Sequence, residues 1–180
     1  MDRWIQKQRI NRAIQYIPSE STVLDIGCFQ GELFKHMGKR LGMGYGIDPL
    51  LPGTIENHRF TLFKGHFPDT WKLKVKLNCV TMLAVLEHIP AEQHQRTVNR
   101  IFDALVPGGL VILTVPSNQA DRLLSPLKRL GIIQGMSLEE HYGFKSADTK
   151  ILFEKAGFRL IKHRSFQFGL NNLFVFMRIE

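Results

Sequence analysis

The sequence predicts an α/β protein of the Rossmann-like, doubly wound type. We expect a mostly parallel, seven-stranded sheet between two layers of helices, closed by an antiparallel hairpin. Two observations predict it. Short apolar runs bounded by glycine or proline alternate with helical patterns, as in βαβ units. Two final strand-like runs, 158–168 and 173–179, are joined by a connection of only a few residues, which predicts a hairpin.

The elements are predicted from apolar spacing and from the residues that end each run. Residues 2–17 are predicted to form a helix that ends at Pro18. Its apolar face carries Ile10, Ala13 and Ile17. The other predicted helices are 32–40, 91–105 and 146–157, and the predicted parallel strands are 22–26, 44–48, 60–64, 78–83 and 110–115.

The segment 117–144 interrupts this alternation. It mixes leucines with Arg122, Lys128 and Arg129, and its breakers include Pro126. These features predict two short helices and a loop. We expect an insertion within a single domain, 1–180, whose N-terminal helix lies within 1–18.

The composition is that of an ordinary globular protein with a basic surface. Of 180 residues, 44% are hydrophobic and 22% are charged. No apolar run approaches the roughly 20 residues needed to cross a bilayer. The start of the chain has no apolar signal-peptide region, and Cys28 and Cys79 form no CxxC pair, so we expect a cytoplasmic, reduced protein without a zinc site.

The net charge of +8 is compatible with an anionic partner or with solvated side chains alone. The basic residues are spread along the chain, without the dense clusters and interleaved aromatics of RNA-binding proteins. Nucleic acid is therefore not the expected partner.

The segment Val23–Gly31 is the strongest indication of a ligand site. Asp25 ends the first predicted strand, and Gly27 and Gly31 lie in the turn before the next helix. Glycines allow a sharp turn and a close approach of a ligand, and such turns lie at the sheet edge where α/β proteins bind ligands. The spacing does not fit the G-x-G-x-x-G of NAD-binding proteins. A purely structural turn is the alternative.

A second acidic residue ends the next strand. Asp48 follows Asp25 by roughly 20 residues, the separation found in dinucleotide sites. A carboxylate there can accept both hydroxyls of a ribose. The alternative is an ordinary cap at the end of a strand.

Five motifs together resemble the class I S-adenosylmethionine-dependent methyltransferases, in that family's order. Val23–Gly31 resembles the first motif, D-x-G-C-G-x-G, and Gly46–Pro49 resembles the ribose-binding second motif. Val80–Pro90 and Leu105–Ile112, with its P-G-G turn, resemble the branch that methylates quinones, lipids, sugars and other small molecules. Ala156–Phe158 matches the A-G-F that precedes the sixth strand.

The resemblance implies S-adenosylmethionine as the cofactor, no metal, and a small-molecule acceptor. The cofactor-binding residues it implies are Asp25, Gly27, Cys28, Phe29, Gly31, Asp48, Pro49, His66, Phe67, Leu83, Ala84 and His88. The chain departs from the family pattern at Phe29, which replaces the middle glycine. We expect its side chain to narrow the cofactor cleft or to change the shape of the turn. The acidic adenine-contacting residue that usually follows the third strand is also absent.

The cofactor carries an already activated methyl group, so the protein's expected task is to align the acceptor with it and to exclude water. The candidate general bases are His88 and His141, because histidine titrates near neutral pH. The alternative is that both only stabilise loops.

Segment 117–144 lies where the family places acceptor recognition, and we expect an acceptor-side cover there. Its leucines and cations suit a hydrophobic, anionic acceptor such as a lipid-linked or quinone-like molecule. Transient contact with a membrane surface is an open alternative to a purely structural role.

Three functions are open at this point. An active small-molecule methyltransferase is favoured. A cofactor-binding but inactive regulatory or partner protein is the second, supported by Phe29. An RNA methyltransferase is the third, and it is disfavoured because strand four continues into Leu83–Leu86 instead of an N-P-P-Y-type tetrad. The oligomeric state does not follow from the sequence.

Overall fold

The computed structural model describes residues 3–117 and 146–180, which are organised around one mixed sheet. Its strands are β1 (Ser21–Ile26), β2 (Leu41–Asp48), β3 (Ile55–Glu56), β4 (Phe60–Lys64), β5 (Leu77–Leu83), β6 (Leu105–Pro116), β7 (Phe158–Phe166) and β8 (Asn171–Arg178). Their order across the sheet is β3-β4-β2-β1-β5-β6-β8-β7. Neighbours from β4 to β6 pair in parallel, and β8 and β7 continue the sheet antiparallel. The predicted doubly wound α/β sheet with a C-terminal hairpin is confirmed.

Helices cover both faces of this sheet. They are α1 (Arg3–Ile14), α2 (Glu32–Met37), α3 (Ala91–Ala104) and α4 (Asp148–Lys155), and 3₁₀ turns lie at Gly38–Arg40 and Leu86–His88. Val23 packs in a core with α1 and α2, whereas the next residue, Leu24, packs in a core with α3 and α4. Successive strand residues point to opposite faces, so this alternation produces the three-layer arrangement.

The described residues contain one strand more than the sequence predicts. β3 pairs antiparallel with β4, with Ile55 opposite Leu62 and Glu56 opposite Thr61. Both β3 side chains are exposed at the edge of the sheet, so this two-residue strand carries no buried alternation that the sequence could reveal.

Several predicted boundaries are wrong: the first helix ends at Ile14 and the second strand already begins at Leu41. Two further differences have a backbone reason. The helix predicted over 32–40 ends at Met37, because Gly38 has a φ of 53° and the chain tightens into a 3₁₀ turn. The turn predicted at residues 107–109 is instead a bulge inside β6. There, the four residues between Leu105 and Leu110 lie opposite a single residue, Asn78, between Leu77 and Cys79.

Two of the sequence predictions fall largely outside the described residues. Within the predicted cover at 117–144, the described residue is Ser117, whose N–H donates to the Leu170 carbonyl at 2.9 Å. The rest of the cover and His141 lie outside the described residues. Among the helices of the described part, none has the length and apolar character required to cross a membrane.

β1 lies in the middle of the parallel part of the sheet, and this strand order positions the site. β2 and β4 lie on one side of β1, and β5 and β6 lie on the other. Ile26, at the end of β1, is in register with Ile47 of β2 and with Met82 of β5, so the three carboxyl ends meet. A switch point of this kind leaves a crevice in which α/β proteins bind ligands.

Candidate functional site

The turn between β1 and α2 uses a left-handed backbone at every second residue. Gly27, Phe29 and Gly31 have φ angles of 76°, 48° and 74°. Glycine adopts this conformation freely, but a side chain makes it cost about 1–2 kcal/mol. Phe29 therefore adopts a conformation that glycine adopts more readily, and it is 48% exposed.

Gly27 brings the loop after β5 against this turn. A Cβ atom at Gly27 would lie 2.3 Å from Cγ2 of Val85, a distance that real side chains do not tolerate. The preceding residue, Ala84, is itself left-handed, with a φ of 61°, and its N–H donates to the Thr114 carbonyl at 3.0 Å. The two loops that flank the crevice thus meet at Gly27 and Val85.

Asp48 fastens the glycine turn to the end of β2. Its Oδ2 accepts the N–H of Phe29 at 2.8 Å, and its Oδ1 accepts the N–H of Leu50 at 2.8 Å. The side chain is only 6% exposed. Asp48 therefore caps the end of β2, which was the alternative to a ribose-binding role. Each carboxylate oxygen has two lone pairs, so these contacts leave an acceptor position on both oxygens.

Asp25 lies buried beneath the same turn. Its Oδ1 accepts a hydrogen bond from Thr81 Oγ1 at 2.6 Å, across the β1–β5 pair. Burial raises the pKa of Asp25 to about 7; the hydrogen bond from Thr81 opposes this shift, and the charge of Asp48 adds to it. Asp25 thus joins β1 to β5 directly below the turn. Sequence reasoning missed Thr81, although it is a polar residue among the apolar residues Cys79–Leu83 of its strand.

The side chain of Cys28 faces the sheet. A Cβ atom at Gly46 would lie 2.6 Å from its Sγ atom, so the thiol fills the space above that glycine. Burial raises the pKa of the Cys28 thiol, and the charges of Asp25 and Asp48 raise it further. Only the backbone of Cys28 remains to line the turn.

The loop after β4 joins the same edge. The N–H of Gly65 donates to the backbone carbonyl of Asp48 at 3.1 Å, which brings His66 next to the end of β2. His66 is exposed. Phe67 is buried and packs against Trp71, with ring centroids 6.5 Å apart, so its ring belongs to the core.

The remaining predicted residues also lie at this edge. Pro49 is exposed directly after Asp48, and Leu83 and Ala84 are half-buried at the end of β5. His88 is exposed and ends the 3₁₀ turn after Val85, to whose carbonyl its N–H donates at 2.9 Å.

Sequence reasoning gave no role to a polar cluster at the far end of this edge. Nη2 of Arg9, in α1, donates to Oδ1 of Asn171 at 3.3 Å, and Asn171 in turn donates to Gln167. Burial lowers the pKa of Arg9, and the negative charge of Glu87 opposes that shift. These contacts join the N-terminal helix, the loop after β5 and the C-terminal hairpin. No motif marks Arg9 in the sequence.

Metal-type ligand groups are not gathered at the site. Across residues 3–117 and 146–180, no three His, Cys, Asp or Glu side chains are grouped so that they could hold an ion.

Comparisons with known proteins agree with this geometry. A family described as a methyltransferase domain matches residues 2–163. A carboxy-S-adenosyl-L-methionine synthase of Desulforapulum autotrophicum is 28% identical over 115 residues, which are 57% of this chain. The match covers 46% of that relative, so the chain corresponds to about half of its length.

Solved structures show the same fold at low identity. Magnesium protoporphyrin IX methyltransferase of Synechocystis, solved with bound S-adenosylhomocysteine, has a TM-score of 0.70 at 19% identity, over 96% of this chain and 83% of that one. The 1,6-didemethyltoxoflavin-N1-methyltransferase of Burkholderia thailandensis has a TM-score of 0.71 at 13% identity, over 99% and 82% of the two chains.

The family match extends over most of the chain and agrees with the motifs, the sheet order and the glycine turn at the switch point. It confirms the predicted family and S-adenosylmethionine as that family's cofactor. The chain belongs to the methyltransferase domain family, the class I S-adenosylmethionine-dependent methyltransferases.

Proposed function

We propose that this domain transfers the methyl group of S-adenosylmethionine to a small-molecule acceptor, with the adenosine part of the cofactor held at Asp48. The observation that carries the proposal is the hydrogen bond between Phe29 and Asp48. It unites a glycine turn and a ribose-type carboxylate at the switch point of the sheet. When bound, the cofactor supplies a sulfonium-activated methyl group.

The residues present fit this cofactor. Asp48 retains one acceptor position on each carboxylate oxygen beyond its two backbone contacts, and a ribose offers two hydroxyl donors. The backbone of the glycine turn donates to this carboxylate at Phe29, and the exposed Pro49 and His66 lie beside the end of β2. The loop at Leu83 and Ala84 closes the opposite side of the crevice.

Two observations support a small-molecule acceptor. The segment Val80–Pro90 resembles the motif of the small-molecule branch and lacks the tetrad expected of enzymes that methylate base amino groups. The Burkholderia thailandensis neighbour was solved with its small-molecule acceptor and S-adenosylhomocysteine together. The cationic Arg9 at the same edge favours an acceptor that carries an anionic or hydrogen-bond-accepting group.

We assign His88 as the general base for acceptors that need deprotonation. It is exposed on the loop that contacts the glycine turn through Val85. An imidazole can accept a proton near neutral pH. In this role His88 acts on the acceptor, so His88→Ala should slow methyl transfer by more than it weakens cofactor binding.

The proposal is tested by incubating the protein with methyl-labelled S-adenosylmethionine and fractionated cell extract. Label should appear in the small-molecule fraction, where mass spectrometry identifies the acceptor. Label in RNA would favour the RNA methyltransferase instead. Intact S-adenosylhomocysteine binding without label in any fraction would identify an inactive cofactor-binding protein.

A further inference from the structure

Phe29 is unusual in both its backbone and its exposure. It has a φ of 48°, in the region that favours glycine, yet it carries a large apolar side chain that is 48% exposed. Core packing does not explain the side chain, because a core residue would be buried. Backbone preference does not explain it either, because glycine would suit the turn better. Strain of this kind accumulates at functional sites.

A second exposed apolar side chain lies beside the same carboxylate. Leu50 is 81% exposed, and its N–H donates to Oδ1 of Asp48, while that of Phe29 donates to Oδ2. The two residues that hold the Asp48 carboxylate are therefore also two of the exposed large apolar residues of the protein. These hydrogen bonds fix the backbones of Phe29 and Leu50 and so restrict the positions that their side chains can occupy.

We propose that Phe29 and Leu50 are cofactor-positioning residues, two apolar walls that cover the ribose once its hydroxyls bind Asp48. The inference rests on the proposed function, in which the ribose binds at that carboxylate. A ribose presents hydroxyls on one edge and C–H groups on its faces. Covering those faces removes apolar surface from water and shields the hydroxyl–carboxylate hydrogen bonds.

An aromatic ring suits this task because it offers a large contact area with only two side-chain torsions to immobilise. The family pattern has a glycine at this position, which can contact a ligand only through its backbone. Phe29 thus adds a side-chain contact to the turn and bears the backbone strain that comes with it.

Phe29→Gly separates the two effects, because they change in opposite directions. Glycine relieves the left-handed strain, so the melting temperature without ligand should stay the same or rise. It also removes the wall, so S-adenosylhomocysteine should bind roughly three- to tenfold more weakly by calorimetry. Phe29→Ala loses the ring but keeps the strain, so it should show the same loss of affinity without a gain in stability.

Adenosine serves as the second probe. Because the walls cover the ribose, both Phe29 variants should lose adenosine affinity by the same factor as S-adenosylhomocysteine affinity. Leu50→Ala should weaken both ligands in the same direction. Ile161→Ala is the matched control: Ile161 is also 48% exposed, but it lies on β7 at the edge of the sheet, so its removal should leave both affinities unchanged.

Equal or tighter binding of S-adenosylhomocysteine by the folded Phe29 variants overturns this inference and leaves the proposed function intact. A loss confined to S-adenosylhomocysteine, with adenosine unaffected, also overturns it, since the ring would then not cover the ribose. If the unaltered protein binds neither probe, the proposed function fails and this inference fails with it.

Discussion

Replacing Asp25 with asparagine removes a carboxyl group that the fold holds away from water. Burial, opposed by the Thr81 hydrogen bond and reinforced by Asp48, raises its pKa to about 7 in the folded protein. An aspartate in an unfolded chain has a pKa of about 3.9. A difference of about 3 units, at about 1.4 kcal/mol each, sets an upper limit of roughly 4 kcal/mol on the effect.

The sign of the pH dependence follows from the raised pKa. Between about pH 4 and pH 7 the folded protein keeps a proton on Asp25 that the unfolded chain has released. The contribution of Asp25 to stability is therefore fully present below about pH 4 and is lost as the pH rises through about 7. Asparagine can still accept the Thr81 hydrogen bond, but it has no proton to lose.

Urea unfolding of both proteins from about pH 4 to pH 8.5 tests this reasoning. The free energy of unfolding of the Asp25→Asn variant, relative to the unaltered protein, should increase by about 2–4 kcal/mol over that range. Asp69→Asn, at an exposed ion pair with Arg96, should show no such increase. Parallel stability curves for the Asp25 variant and the unaltered protein would refute the burial argument.

Three further substitutions test the remaining contacts. Asp48→Ala removes the acceptor of two backbone N–H groups, so the free energy of unfolding in urea should fall by about 1.5–3 kcal/mol per bond. The affinity for S-adenosylhomocysteine, measured by calorimetry, should fall by at least roughly tenfold. Gly27→Ala should destabilise by about 1–3 kcal/mol because its Cβ meets Val85, and adding Val85→Ala should recover the steric part; no recovery would contradict that contact. Arg9→Met should destabilise the protein by about 1–3 kcal/mol in thermal unfolding, because Glu87 loses a cationic neighbour and Asn171 loses a hydrogen-bond donor; unchanged stability would argue against both contacts.

The apolar runs and the residues that end them predicted the elements that depend on local sequence. The strand at Phe60–Lys64 has the predicted bounds, and the strand at the first motif begins one residue early, at Ser21. The strand Ile55–Glu56 and the bulge near Pro107 were missed or misplaced because each is defined by its partner strand. The register in which two distant strands pair cannot be seen in a single sequence.

The same distinction applies to the site. Asp25 and Asp48 could be predicted because each ends an apolar strand, and strand ends of a parallel sheet gather at one edge. The hydrogen bond from Phe29 to Asp48 and the contact from Arg9 to Asn171 could not be predicted. Both join segments that only the tertiary fold brings together.

The measurement that tests the central claim most directly is calorimetric titration of the folded protein with S-adenosylhomocysteine and, separately, with NAD. Asp48 beside a turn that lacks the G-x-G-x-x-G spacing predicts saturable binding of S-adenosylhomocysteine and no heat with NAD. Folded protein that shows no S-adenosylhomocysteine binding at millimolar concentration, or that binds NAD instead, would contradict the assignment of this crevice to the methyl donor.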